Sequence, residues 1–152
     1  MFPGWLWRAL TSSLEGNGIK GSPKVGTSGE QRFVVELSHA IDFADSGMPA
    51  VLSTPWLIWF LEHAAREAVL PFLSPGESTV GTYVEVRHTA PTPVGQAVTC
   101  RARVVQAEGG AISFQLEARD GHEQIARGLH RLQVIRVDRF AQRVQRKSGP
   151  LS

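Results

Sequence analysis

The sequence predicts an α+β domain in which one long helix packs against a strongly curved antiparallel sheet. One apolar segment between two prolines has the length of a buried helix. The second half of the chain alternates apolar and polar residues with a period of two, and glycine-containing turns separate these runs. Strands and helices do not alternate along the chain, which argues against a doubly wound parallel sheet.

The first predicted strand is a short β-prone run over Arg32–Leu37. An irregular segment follows it and ends at Ser46-Gly47-Met48-Pro49. Ahead of the strand, Gly16–Gly29 is rich in glycine and serine and is interpreted as a linker. The apolar stretch Met1–Leu10 is interpreted as an extension rather than a signal peptide or a membrane-surface anchor. The predicted divisions are an extension and linker over residues 1–30, a domain over 31–138 and a basic tail over 139–152.

The apolar segment that comes next has the signals of a helix. Thr54 is the predicted N-cap, and Pro55 suits the first helical position because its missing N–H needs no partner there. Pro71 ends the run. Apolar residues, including Trp56 and Trp59, cover most of the circumference, so the helix is expected to be buried on most sides.

Four strands are expected after the helix. The first covers Thr79–Thr89 and the last covers Gln124–Val137. The two strands between them are half-buried and antiparallel, and their inward residues are Val98, Cys100, Ala102 and Val104 in one and Ile112, Phe114, Leu116 and Ala118 in the other. The turns Glu108-Gly109-Gly110 and Asp120-Gly121 carry the residues that tight hairpins need for positive φ.

Composition and charge argue against several classes of protein. The chain has 152 residues and a single cysteine, Cys100, which suits one domain without a disulfide framework or a zinc site. Five basic residues and one acid lie between Arg136 and Lys147, so the rest of the chain is slightly acidic. This distribution argues against a nucleic-acid-binding surface. No apolar run approaches the roughly 20 residues of a membrane span, and we expect a cytoplasmic protein. No bound metal is expected either.

Four residues occupy positions where packing of an apolar core does not require their residue type. Glu62 is either a surface residue paired with Arg66, or a carboxylate that faces a cleft and acts as base or nucleophile. The Thr54 hydroxyl either caps the helix or contacts substrate, and a helix N-terminus also suits a carbonyl oxygen or oxyanion. His88 ends a strand just before the chain leaves the sheet, where it is either structural or catalytic. Gly81 interrupts a strand, as glycines do where a ligand approaches the backbone.

Other motifs of enzymes are missing from the sequence. It contains no Walker-type phosphate loop, no G-x-S-x-G elbow and no H-E-x-x-H zinc helix. The glycines of Gly16–Gly21 precede no strand–helix unit, which argues against dinucleotide binding. The remaining histidines lack a setting like that of His88 and are expected at the surface or around the site: His39, His63, His122 and His130.

The polar residues also form a pattern with fixed spacing. Its parts are Thr54-Pro55 followed by Glu62, then Pro71–Glu77, Val80-Gly81-Thr82 and Val86–Gly95, which holds His88 and a proline-rich exit from the strand. This pattern resembles the hotdog-fold thioesterases of the fluoroacetyl-CoA thioesterase type. The resemblance extends over about Arg32–Lys147 and includes Ala118–Gly121 and Gly128–Phe140.

The resemblance implies a hotdog fold, hydrolysis of an acyl-CoA thioester, and a second copy of the chain with active sites at the subunit interface. Thr54, Glu62 and His88 match the family's catalytic residues, and Gly81 matches the glycine whose backbone amide helps to bind the thioester carbonyl. In these roles Glu62 is nucleophile or general base, His88 polarises or donates a proton, and Thr54 orients by hydrogen bonding. Whether Glu62, Thr54 or a water attacks the acyl group is open at this stage. Coenzyme A is expected only as part of the substrate, with no other cofactor.

One position departs from the family pattern. The fluoroacetyl-specific enzymes carry an aromatic lid residue six positions before the catalytic threonine, and Met48 stands there in this chain. Methionine can cover a small acyl group but discriminates less rigidly, so fluoroacetate itself is not predicted. Arg136, Arg139 and Arg143 are expected to meet the nucleotide end of CoA. The alternatives are a non-catalytic acyl-CoA-binding or sensing protein on the same fold and, less favoured, an enoyl-CoA hydratase.

Overall fold

The computed structural model describes residues 21–150, so the apolar stretch Met1–Leu10 lies outside the described residues. Short 3₁₀ turns occupy Leu37–His39 and Leu70–Phe72. The main elements of the described part are β1 (Ser28–Val34), α1 (Thr54–Val69), β2 (Glu77–His88), β3 (Ala97–Glu108), β4 (Ala111–Arg119), β5 (Gln124–Arg136) and α2 (Val137–Lys147).

The five strands form one antiparallel sheet in the order β1-β3-β4-β5-β2, which places β1 and β2 at its edges. Helix α1 packs mainly against β1 and β3, on the concave face of the sheet. The alternating pattern predicted for β3 and β4 is confirmed, since every second residue is buried over residues 98–104 in β3 and over residues 112–118 in β4. The largest fully buried side chains of the core include Leu57, Leu61, Phe114, Leu116, Ile125 and Leu132.

The position predicted for the first strand is wrong by several residues. β1 covers Ser28–Val34 rather than Arg32–Leu37, and it includes residues on both sides of the domain boundary expected at residue 31. Glycine and glutamate have low β-propensity, so the sequence pattern did not indicate the start of this strand. Packing decides its position, because a Cβ on Gly29 would overlap the Ala64 carbonyl oxygen and lie 2.7 Å from the Ala68 nitrogen.

The start of α1 also differs from the prediction. Ser53 is the N-cap, Thr54 is the first helical residue, and no side-chain hydrogen bond caps this end. The Thr54 hydroxyl is bonded elsewhere, as described below. Burial on most sides is wrong for the start of the helix, where Trp56 is 37% exposed because the sheet covers only one side. The predicted end is confirmed, since α1 stops at Val69 and Pro71 lies in the 3₁₀ turn that follows.

The two predicted hairpins are both present but close differently. Gly109 and Gly110 have φ of 58° and 81°, as expected for the β3–β4 turn. Gly121 does not adopt positive φ. The Asp120 carboxylate closes the β4–β5 turn instead, by accepting hydrogen bonds from the backbone N–H groups of His122 and Glu123 at 2.8 and 2.9 Å.

β2 is an edge strand with an irregularity in its middle. Gly81 pairs with Leu132 and Tyr83 pairs with Arg131, so Thr82 is an extra residue that forms a β-bulge. Most of the strand after the bulge is exposed. The basic segment after β5 is the helix α2, and all of its side chains are exposed. Within residues 21–150, no helix has the length and apolar character needed to cross a membrane.

Candidate active site

A hydroxyl–imidazole pair lies at the start of α1. Thr54 begins this helix, His88 ends β2, and 2.9 Å separate Thr54 Oγ1 from His88 Nδ1. Burial lowers the pKa of His88 below its usual value, and a backbone hydrogen bond with Ala90 acts in the opposite direction. The ring is therefore neutral at neutral pH, and its Nδ1 can accept the hydroxyl proton of Thr54.

The Thr54–His88 pair borders a largely apolar cavity of about 280 Å³. The segment before α1 and the segment after β2 supply the other walls: Ile41, Phe43, Met48, Val51, Leu52, Thr89, Ala90 and Pro91. Met48, the residue expected to cover an acyl group, is one of the exposed side chains of this lining. A second cavity, of about 240 Å³, lies beside Phe72 at the other end of α1 and contains none of the candidate residues.

The Glu62 carboxylate lies against Gly81. A Cβ on Gly81 would be 2.9 Å from Glu62 Oε1, so the glycine leaves room for the carboxylate at this point of β2. Arg66, the alternative partner of Glu62, donates instead to the Thr79 hydroxyl at 2.8 Å. Among the described residues Glu62 forms no salt bridge, which favours the interpretation of Glu62 as a site residue.

The two polar centres do not meet within one chain. Thr54 and Glu62 are eight positions apart in α1, which corresponds to about 12 Å along the helix axis. One centre, Thr54 with His88, lies at the start of the helix. The other, Glu62 with Gly81, lies two turns further on.

His130, expected at the surface or around the site, lies beside the second centre. It is 4% exposed, and its Cε1 would be 3.4 Å from a Cβ on Gly81. Burial lowers its pKa, and the nearby charge of Glu62 acts in the opposite direction. A signal for this position existed, since His130 lies in the inward-facing series of β5 between buried Ala126 and Leu132.

The other histidines lie outside both centres. His63 stacks on the Trp59 ring with centroids 3.7 Å apart. His39 packs against aromatic side chains that include Trp56 and Phe60, and His122 is exposed in the β4–β5 turn.

The basic residues expected to bind CoA are distant from the hydroxyl–imidazole pair of the same chain. Arg136 is paired with Glu77 at the first residue of β2, whereas His88 is the last residue. A strand of this length spans about 36 Å. Arg139 is exposed on the first turn of α2. Neither arginine reaches the cavity of the same chain.

The lowered pKa values of His88 and His130 predict that the free energy of unfolding falls in mild acid. Both rings resist protonation in the folded chain, whereas the unfolded chain binds protons once the pH drops below about 6.5. Stability should therefore be constant above pH 7 and decline as the pH falls below about 6.5. Urea unfolding at a series of pH values measures this slope, and His130→Asn should make it shallower; equal slopes would contradict the assignment.

One long helix wrapped by a single antiparallel sheet, with polar side chains from helix and edge strand beside an apolar cavity, defines a hotdog-fold protein of the thioesterase superfamily. A hot-dog-like protein from Thermanaerovibrio acidaminovorans matches the structure with a TM-score of 0.76 at 27% identity, over 84% of this chain and 94% of that one. The chain belongs to the fluoroacetyl-CoA-specific thioesterase family, whose profile matches residues 34–138.

Two further comparisons agree with this membership. The fluoroacetyl-CoA thioesterase of Streptantibioticus cattleyicolor is 36% identical over 107 residues, which make up 70% of this chain and 76% of that protein. A crystal structure of a single-substitution variant of the fluoroacetyl-CoA-specific thioesterase matches with a TM-score of 0.77 at 32% identity, over 85% of this chain and 100% of that one.

Proposed function

We propose that this protein hydrolyses a small acyl-CoA thioester to the free acid and CoA. The observation that carries the proposal is the Thr54–His88 pair at 2.9 Å on the wall of an apolar cavity of about 280 Å³. An apolar cavity with a few convergent polar groups is the usual form of a small-molecule site. Membership in a family named for a CoA thioesterase supports the same reaction.

His88 is the proposed base of the reaction. Its neutral ring accepts a proton from the Thr54 hydroxyl or from a water that the hydroxyl orients, and this oxygen attacks the thioester carbonyl. The carbon–sulfur bond then breaks, and the thiolate of CoA takes up the proton. If Thr54 is the attacking group, this step leaves an acyl-Thr54 ester, and a water must then hydrolyse the ester to release the free acid. Because the pKa of His88 is lowered, its ring is less suited to donate a proton in the resting enzyme. Mass spectrometry of the enzyme during turnover distinguishes an acyl-Thr54 ester from direct attack by water.

Glu62 and Gly81 are the proposed partners on the other side of the reacting carbonyl. The Glu62 carboxylate can act as base for the water that hydrolyses an acyl-Thr54 ester. The Gly81 amide is the proposed donor to the developing oxyanion, and the absence of a side chain lets the acyl group lie close to the backbone. Met48 is the proposed cover of the acyl group, since it lines the cavity that Thr54 and His88 border.

We propose that the working enzyme is a homodimer formed through the β2 edge. The sheet ends at β2, and the exposed side chains of this strand include the large apolar side chains of Tyr83 and Val84. An open edge of this kind is usually covered. When two β2 strands pair antiparallel about a two-fold axis, the His88 end of one strand lies towards the Gly81 half of the other. Each proposed active site then combines Thr54 and His88 of one protomer with Glu62 and Gly81 of its partner.

The same arrangement supports a role for the basic segment. Arg136 lies at the end of β2 that antiparallel pairing turns towards the partner's His88. Arg136 and Arg139 are therefore proposed to contact the phosphates of a CoA bound mainly by the partner subunit. Removing residues after Val137 should then raise KM more than it lowers kcat.

Release of thiol from a panel of short, branched and aromatic acyl-CoA thioesters tests the proposed function. We expect turnover of a small acyl-CoA that falls when His88 is replaced by alanine. Saturable binding of CoA thioesters without turnover would support the sensing alternative, and hydration of crotonyl-CoA would support a hydratase. The proposed reaction uses water and no cofactor apart from the CoA of the substrate. A cytoplasmic location is also proposed, and cell fractionation tests it.

A further inference from the structure

The β-bulge in β2 makes the Tyr83 carbonyl available to a side chain. The regular pairing between β2 and β5 shifts between Gly81 and Tyr83, which disrupts the ladder locally. The His130 ring reaches back across the sheet from β5, and its Nδ1 lies 2.8 Å from the Tyr83 carbonyl oxygen. The bulge is thus bonded to a buried imidazole.

This contact fixes the protonation of the His130 ring. A carbonyl oxygen only accepts hydrogen bonds, so Nδ1 carries the ring proton and donates it. The ring is neutral at neutral pH because burial lowers its pKa, which leaves Nε2 without a proton. Among the described residues Nε2 has no hydrogen-bond partner, although the atom is buried. An unpaired buried nitrogen costs free energy, and an apolar side chain in this position would avoid that cost.

The neighbours of His130 show what the bulge positions. Gly81 directly precedes the extra residue Thr82, and a Cβ on Gly81 would lie 2.9 Å from Glu62 Oε1 and 3.4 Å from His130 Cε1. The backbone of Gly81, the carboxylate of Glu62 and the imidazole of His130 therefore share one small volume. A change in the bulge would move the Gly81 backbone relative to the carboxylate.

We propose that His130 is a positioning residue: its Nδ1–H holds the β2 bulge through the Tyr83 carbonyl and thereby keeps the Gly81 backbone against the Glu62 carboxylate. The inference rests on the proposed function, in which Gly81 and Glu62 act on the thioester. His130 itself is not assigned contact with the acyl group. Its role is to fix the geometry of this centre, where a displacement of about 1 Å can lower the rate by a factor of about 100.

Two variants of nearly equal shape test this role. Asparagine can place its amide N–H where His130 Nδ1 lies, whereas leucine fills similar space without a donor. We expect His130→Asn to keep kcat within about threefold of the wild type, and His130→Leu to lower kcat by about 10- to 100-fold. KM should change by less than about threefold in both, because the cavity beside Thr54 is unaltered.

A second measurement keeps the test independent of catalysis. The amide resonance of Gly81 in a proton–nitrogen NMR spectrum should move in His130→Leu and remain near its wild-type position in His130→Asn. Equal kcat values and unchanged Gly81 resonances in both variants would overturn the inference. If the wild type hydrolyses no acyl-CoA but the Gly81 resonance still moves in His130→Leu and not in His130→Asn, then the proposed function fails and the positioning role of His130 stands. If His130→Leu does not fold, an unaltered Gly81 resonance and wild-type kcat in His130→Phe, which also lacks the donor, would overturn it.

Discussion

Replacing Glu62 with glutamine is expected to lower kcat for the best acyl-CoA substrate by about 10²- to 10⁴-fold, the usual contribution of a positioned base. Glutamine keeps the size of the side chain beside Gly81 but cannot accept the proton of a hydrolytic water. KM should change little, because glutamine keeps the size of the side chain and a base acts on the transition state rather than on substrate binding. Steady-state thiol release measures both constants.

Glu67→Gln on the same helix is the matched control. Glu67 is exposed, and its Oε1 accepts a weak hydrogen bond from Gln31 at 3.4 Å. The same chemical change at that position should leave kcat within about twofold and the free energy of unfolding within about 0.5 kcal/mol of the wild type. A Glu62→Gln enzyme as active as this control would remove Glu62 from the proposed mechanism and leave Thr54 and His88 as the reacting centre.

The elements of the fold follow from short-range patterns wherever one face is buried. Period-two alternation located β3 and β4, and the prolines around the apolar run located α1, because both signals arise from residues that the core requires. β1 was misplaced since its register depends on the close approach of Gly29 to α1, a contact between segments far apart in the sequence. Local propensity contains no information about such a contact.

The candidate site was predictable as a set of residues but not as a geometry. The resemblance pointed to Thr54, Glu62, His88 and Gly81, and the structure brings them into two pairs. The separation of Thr54 and Glu62 by eight helical positions, about 12 Å along the axis, follows from helix geometry alone. The role of His130 depends on a bulge in a neighbouring strand, and a single-sequence pattern does not reveal which residue of a strand is extra.

Two inactive variants are expected to restore activity when they are combined in one dimer. In Thr54→Val the hydroxyl is lost, and in Glu62→Gln the carboxylate is lost. If each site takes Thr54 from one protomer and Glu62 from the other, a heterodimer of the two variants has one site with both changes and one site with neither. Heterodimers isolated through two different affinity tags should therefore show about half of the wild-type kcat per dimer, whereas each homodimer is inactive.

The reciprocal heterodimer gives the opposite expectation and serves as the control. A chain with both substitutions, paired with a wild-type chain, places one change in each composite site, so this dimer should be inactive although half of its subunits are unaltered. Sites contained within single chains would reverse both results, with no activity in the first heterodimer and half activity in the second. The separation of Thr54 from Glu62 favours the composite site, because the two residues lie about 12 Å apart along the axis of α1 and each lies against a different residue of β2.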